Sequence, residues 1–336
     1  MRLPAHARPA ALGRLRSRRQ RCTARNAPCG RVRHGCRRTR ARPQAGSLTV
    51  AGLTLAAPAK INLGLEVRGR RDDGYHEIVT IFQALDFGDS VHLSPAPTIQ
   101  GESAVDGLDP AADLAFRAAH ELKARVGATG GVHIRVDKRI PVAAGLAGGS
   151  TNAAAVLSGL SRLWGADPDC VAETARALGA DVSFFLRPGT ALGLARGDDL
   201  RPLPPAPPHW VVLARPEAEI SARDAYAELR PAEWSGGGAT LAQAEALRNG
   251  RVNPTLCTND LQDAAIRLVP EVASVLQALA EAGAEAAVLA GSGPTCFGLF
   301  CTQAAADRAE SRLRPYGWWT RVTRFQSAPN PAGSQL

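Results

Sequence analysis

Methionine is almost missing from this chain: Met1 is the only one in 336 residues. Lysine is nearly as scarce, with Lys60, Lys123 and Lys138 set against 37 arginines. Together with abundant Ala, Gly and Pro, that bias fits coding from a GC-rich genome. No apolar run reaches the roughly 20 residues of a membrane-spanning helix, so no helical span is expected. Cysteine numbers only seven. Cys22, Cys29 and Cys36 recur at seven-residue intervals that match no usual zinc spacing, in an arginine-dense setting that repels cations, so no metal site is read there. Cys170, Cys257, Cys296 and Cys301 are scattered in mostly apolar contexts; without a secretory signal they read as reduced, buried thiols of a cytoplasmic protein.

Acidic residues are absent from the first 50 positions, which hold 14 arginines; Glu66 is the first carboxylate. The formal charge of +9 therefore misleads, because the remainder carries 26 basic against 31 acidic residues. Three readings compete for the arginine-rich segment 1–50. It could be a nucleic-acid arm, but it has no aromatic residues for stacking and no known module. It could be a transit peptide, arginine-rich and acid-poor. The favoured reading is a disordered segment or an upstream region absent from the mature protein. Nucleic acid and membrane are not expected as partners.

What is present is a body long enough for two domains. Strands are expected at 53–55 and 61–67, with Lys60 between them, a turn at 70–74, and strands at 78–82, 90–93 and 132–136. Helices are expected at 111–126, 150–164 and from Pro168 to about 178, with Gly179 as C-cap. A strand follows at 191–195, and the Pro-rich stretch 201–208 reads as a linker. Beyond it, Trp210–Ala214 reads as a strand and 221–229, 240–248, 259–268 and 270–282 as helices. Strands at 287–289 and 296–300 flank a glycine turn at 291–295, and a helix at 303–313 and a strand at 319–325 close the pattern. Strands and helices mix without βαβ alternation, which favours a two-domain α+β protein. The expected boundaries are 51–205 and 206–327, followed by a loose tail over 328–336.

The stretch Pro141-Val142-Ala143-Ala144-Gly145-Leu146-Ala147-Gly148-Gly149-Ser150-Thr151-Asn152 stands out. It joins a strand to a helix, and a glycine-rich loop that empties into a helix N-terminus offers free backbone N–H groups to an anion. It is no P-loop, since it holds no lysine, and no dinucleotide loop, since Ala147 takes the place of the second glycine. Lys60 in a strand, Asp181 before an apolar run and the turn at 291–295 each admit a plain structural reading: an edge charge, a helix cap, a hairpin. Jointly they describe phosphoryl transfer: a loop for nucleotide phosphates, a carboxylate for the attacking hydroxyl, and a lysine for the charge.

These residues resemble the GHMP kinase superfamily, whose ATP loop has the form P-x-x-x-G-L-x-[GS]-S-[ST]. The resemblance is carried by Pro58-Ala59-Lys60-Ile61-Asn62-Leu63, Asp73-Gly74-Tyr75-His76-Glu77, Ile140–Ser150, Leu178-Gly179-Ala180-Asp181-Val182, Asn259-Asp260-Leu261 and Gly291–Thr295, in order over about 52–325. It implies a GHMP kinase fold, with an N-terminal ribosomal-protein-like α/β domain and a C-terminal ferredoxin-like domain. It also implies ATP along Pro141–Thr151, Mg²⁺ as its companion, and Lys60 and Asp181 as the catalytic pair. The P-A-K-I-N and D-G-Y-H-E blocks further imply a cytidine-diphosphate-linked methylerythritol as acceptor, phosphorylated on its 2-hydroxyl by a cytoplasmic monomer or homodimer. Asn62 would position the acceptor's hydroxyls, and Tyr75 with His76 would form part of the cytosine pocket. Ser150 or Thr151 could contact phosphate or magnesium. Ser183 stands where many relatives have proline, which removes no functional group. A kinase of the same superfamily acting on mevalonate or homoserine is the nearest alternative, and a nucleic-acid binder using the arginine-rich segment is the alternative from another class.

Overall fold

The computed structural model describes residues 52–103, 105 and 107–326. The arginine-rich segment 1–50 and the tail 328–336 lie outside the described residues, and with them the readings made of both.

Two long antiparallel strands form the spine: β1 (Leu53–Arg70) and β2 (His76–Ala96), joined by the expected turn, where Arg71 N donates to Tyr75 O at 2.7 Å. Each was expected as two short strands. The register shifts at Pro58/Lys60, Asn62/Gly64 and Val67/Gly69, and every residue from Ala59 to Val67 is buried. Bulges and cover on both faces remove the alternation that marks a half-buried strand, so the run reads as broken in sequence.

The first sheet is completed by β3 (Gln100–Gly101), β4 (Gly131–Asp137), β5 (Thr190–Leu194) and β6 (Asp199–Pro202) in the order β3-β4-β2-β5-β6, with β1 on β2; only β3 and β4 pair in parallel. Four helices lie between β3 and β5: α1 (Leu114–Val126), α2 (Gly148–Trp164), α3 (Pro168–Leu178) and α4 (Ala180–Phe185). Asp113 caps α1 through its carboxylate to Ala115 N, which starts that helix three residues later than expected. Asp167 and Pro168 open α3, and Gly179 ends it as expected, its N–H donating to Ala175 O. These helices bury Phe116, Leu122, Val156, Leu157 and Leu160 against Leu55, Val91 and Leu93 of the spine.

The second half contains β7 (Trp210–Arg215), α5 (Ala222–Glu228), α6 (Gly238–Arg248), α7 (Gln262–Leu268), α8 (Glu271–Glu281), β8 (Ala287–Leu289), β9 (Cys296–Phe300), α9 (Gln303–Leu313) and β10 (Trp319–Arg324). Its antiparallel sheet runs β10-β7-β9-β8 with α8 and α9 packed on it, the ferredoxin-like arrangement expected. Val211, Leu213, Phe297 and Leu299 share a cluster with Ile61, Leu63, Ile81 and Leu85, so one apolar core joins the two sheets in one compact unit.

Two further expectations change. The stretch 201–208 is no free linker: β6 takes its first two residues, Leu203 N donates to Thr190 O at 3.0 Å, and Leu203 and Ala206 are buried. The helix expected from 259 begins at Gln262, because Asn259 and Asp260 spend their side chains on other parts of the fold. Among the described residues no helix is long and apolar enough to cross a membrane; Cys257, Cys296 and Cys301 are free thiols, but only Cys296 is fully buried, Cys257 is half-buried and Cys301, expected inside, is exposed.

Candidate active site

The floor of the site comes from β1. Lys60 is 4% exposed; its Nζ donates to Asn62 Oδ1 at 2.9 Å and lies 4.0 Å from Asp181 Oδ2. Asn62 Nδ2 donates onward to Thr80 Oγ1 at 2.7 Å, and Thr80 donates to Gly64 O at 2.7 Å. The chain of bonds fixes the amide orientation and holds the lysine tip in one place. Burial lowers the Lys60 pKa from its ordinary 10.5, and the negative charge of Asp181 opposes that shift. Asp181 sits in the first turn of α4, half-buried, at the open side of the lysine.

The roof is the glycine-rich loop. Ala143 (φ 49°) and Ala147 (φ 59°) both take the left-handed conformation, which costs a residue with a Cβ about 1 kcal/mol. Ala147 stands at the N-cap of α2 with no side-chain bond, so the first N–H groups of a 17-residue helix are left without a capping group. The second glycine turn packs against this loop backbone to backbone. A Cβ on Gly291 would lie 2.6 Å from Gly145 O and 2.7 Å from Lys60 Nζ, so only glycine fits there. Asn259 ties the same turn down, its Nδ2 donating to Leu289 O and Gly291 O at 2.9 and 2.7 Å.

Between floor and roof lies a cleft of ≈ 610 Å³. Of the residues singled out in sequence, Lys60, Asn62, Pro141, Val142, Ala143, Ala144, Gly145, Ala147, Gly148, Gly149, Asp181, Leu261, Gly291 and Ser292 line it. Leu146 is buried behind the wall and accepts a 3.3 Å bond from Lys60 N, while Ser150 and Thr151 follow in the first turn of α2. Tyr75 and His76 are not on the wall, but border it. His76 stacks on Tyr226 at 5.0 Å between centroids, and Tyr226 lines the cleft. Burial, with the charge of Arg70 adding, lowers the His76 pKa from its ordinary 6.5, which favours the neutral ring. Burial, with Asp181 and Asp260 adding, pushes the Tyr226 phenol up, so it remains a protonated donor.

Sequence reasoning missed several wall residues. Tyr226 and Arg196 come from segments with no motif of their own. Val105, Leu108 and Leu114 form an apolar end beyond the loop. Lys138 also lines the cleft; its scarcity value as one of three lysines was the available signal. Asn152, at the end of the glycine-rich stretch but given no role from sequence, lines it too, 5% exposed, with an Oδ1 that has no hydrogen-bond partner among the described residues.

An uncapped helix start, a lysine and a carboxylate thus meet at one cleft, an arrangement suited to phosphoryl transfer. The family model for the GHMP kinases N terminal domain matches residues 113–189, and that for GHMP kinases C terminal matches 235–317. A 4-diphosphocytidyl-2-C-methyl-D-erythritol kinase from Shouchella clausii is 40% identical over 273 residues, 78% of this chain and 91% of its own length. A solved 4-(cytidine 5'-diphospho)-2C-methyl-D-erythritol kinase superposes with a TM-score of 0.71 at 35% identity, covering 81% of this chain and 99% of that one. A homoserine kinase from Cytophaga hutchinsonii superposes with a TM-score of 0.69 at 18% identity, covering 87% of this chain and 99% of its own; that likeness speaks of fold alone. The chain belongs to the family of 4-diphosphocytidyl-2-C-methyl-D-erythritol kinases, within the GHMP kinases. It is an ATP-dependent small-molecule kinase.

Proposed function

We propose that this kinase transfers the γ-phosphoryl group of ATP to the 2-hydroxyl of 4-diphosphocytidyl-2-C-methyl-D-erythritol, in the non-mevalonate route to isoprenoid precursors. The observation that carries the reading is the Lys60–Asp181 pair, 4.0 Å apart below the uncapped start of α2. ATP lies with its phosphates along Pro141–Thr151 and its adenine toward Val105, Leu108 and Leu114. Asp181 accepts the proton of the attacking hydroxyl, and Lys60 stabilises the charge that gathers on the transferring group. Asn62, locked between Lys60 and Thr80, orients the acceptor's hydroxyls. Tyr75 and His76 recognise the cytosine, with neutral imidazole and a ring face suited to a planar base.

Mg²⁺ bound to ATP needs only one or two protein oxygens. Among the described residues no group of three or more His, Cys, Asp or Glu could hold a metal ion, so a protein cage does not fit. The unbonded Asn152 Oδ1 on the cleft wall and the unbonded Thr151 Oγ1 beside it in the first turn of α2 would suit an ion carried in on phosphates. When bound, the ion neutralises phosphate charge. The change of sheet between Pro202 and Trp210 supports domains at 51–205 and 206–327. The enzyme works in the cytoplasm as a monomer or homodimer.

The test is a phosphorylation assay with the cytidine-linked methylerythritol, mevalonate and homoserine as acceptors. Turnover with the first alone is expected; preferred turnover of either other alcohol overturns the reading.

A further inference from the structure

The acceptor proposed above carries two phosphates of its own, between the base and the hydroxyl that reacts. Three cationic side chains line the cleft: Lys60, Lys138 and Arg196. Lys60 is committed to Asn62 and Asp181. Lys138 lies at the α2 end, its Nζ 2.6 Å from Asp89 Oδ2 and only 2.7 Å from where a Cβ on Gly148 would stand. That leaves one cation on the side of the cleft that borders Tyr75 and His76.

The conformation of Arg196 is prepared in advance. Ala195 takes a left-handed conformation (φ 59°), and its carbonyl accepts a 2.7 Å bond from Ile78 N, two residues beyond His76. The turn is closed by Asp198, whose carboxylate accepts from Arg196 N at 3.3 Å and from Nη2 at 2.8 Å. The guanidinium carbon of Arg196 lies over the Tyr75 ring, with Cζ 5.1 Å from the centroid. One face of the tyrosine is thus taken by the cation, and Tyr75 still remains 59% exposed. Of the five N–H donors on a guanidinium, a single one is spent on Asp198, and the planar fork suits two phosphate oxygens.

We propose that Arg196 is the diphosphate-binding residue of the acceptor site: it holds Tyr75 by its face and the acceptor's diphosphate by its edge, so that the base and its phosphates are read by one side chain. This rests on the cytidine-diphosphate reading of the acceptor. It makes the enzyme select a nucleoside diphosphate over a bare nucleoside, a preference that Tyr75 and His76 alone cannot supply because they meet only the base.

The experiment is calorimetric titration of cytidine and of CDP into the full-length enzyme, its Arg196→Ala variant and its Arg196→Lys variant. The wild-type enzyme is expected to bind CDP more tightly than cytidine. Arg196→Ala should weaken CDP about 30-fold, within the range for a charge-assisted bond, and cytidine by less than about 3-fold. Arg196→Lys, which keeps the charge and loses the fork, should fall between. In steady state the KM of the cytidine-linked acceptor should rise in parallel with the CDP loss, with the KM of ATP and kcat little changed. Equal losses for cytidine and CDP overturn the proposal, since Arg196 then only props Tyr75; unchanged binding of both overturns it as well. A wild-type enzyme that binds neither ligand while phosphorylating another alcohol overturns the acceptor reading itself, and this inference with it.

Discussion

Two lysine–aspartate pairs serve the same cleft, and they are built in opposite ways. Lys138 and Asp89 are 2.6 Å apart, with the Asp89 side chain fully buried and the lysine 18% exposed. Asp89 also accepts from Arg139 N and Ile140 N at 2.7 and 2.8 Å, so each of its oxygens is bonded and it stitches β2 to the strand end that launches the glycine loop. Lys60 and Asp181 are 4.0 Å apart, and here the lysine is the buried partner while the aspartate is 33% exposed. A short pair saturated with backbone bonds is fixed architecture. A loose pair, with an aspartate open to the cleft and a lysine donor held beside it, has capacity left for a hydroxyl and a phosphoryl group. Charge and residue type are the same in both; the separation, the partner that is buried and the number of satisfied bonds set them apart.

The largest effect expected from that contrast is catalytic. Asp181→Asn should lower kcat about 10³-fold, the scale of a lost general base, while ATP and CDP still bind. Near-normal kcat in that variant would remove Asp181 from the mechanism. Asp89→Ala should instead act on the fold, costing about 3 kcal/mol in urea unfolding by leaving a lysine and two backbone N–H groups without their acceptor. Unchanged stability there would dissolve the distinction between the pairs. The smallest effect has the opposite sign: Lys60→Met, though inactive, should be more stable than the wild type by roughly 1 kcal/mol, because a buried cation is removed. The pH dependence gives a second readout. The Lys60 pKa is lowered by burial, so the unfolded chain binds more protons between the folded value and 10.5, and stability rises with pH across that window. In Lys60→Met that rise should disappear; its persistence would mean the ammonium is not the source.

The motifs led to the reaction because phosphoryl transfer needs few kinds of group, and each was local in sequence: Gly145 to Gly149 for close approach, Lys60 in an apolar run, Asp181 at a helix start. Recognition of the acceptor was legible only in part. Tyr75 and His76 could be singled out, but His76 meets the cleft through Tyr226, 150 residues further on. Arg196 carries no motif, and its place over Tyr75 arises from the pairing of β2 with β5 and the turn that follows β5. The same cause explains the missed strand continuity: burial of Ala59 to Val67 on both faces depends on the second sheet, which lies more than 140 residues away in the chain.

The sequence by itself determined the local chemistry of this protein: an anion-binding loop, a lysine, a carboxylate and the periodicities that build helices around them. Those are properties of short segments, set by side-chain type, capping and backbone freedom. Only the tertiary structure separated the open Lys60–Asp181 pair from the saturated Lys138–Asp89 pair, and brought Tyr226 and Arg196 to the cleft wall. Those distinctions depend on desolvation and on the count of satisfied hydrogen bonds, and both are set by neighbours that the chain brings together from far apart.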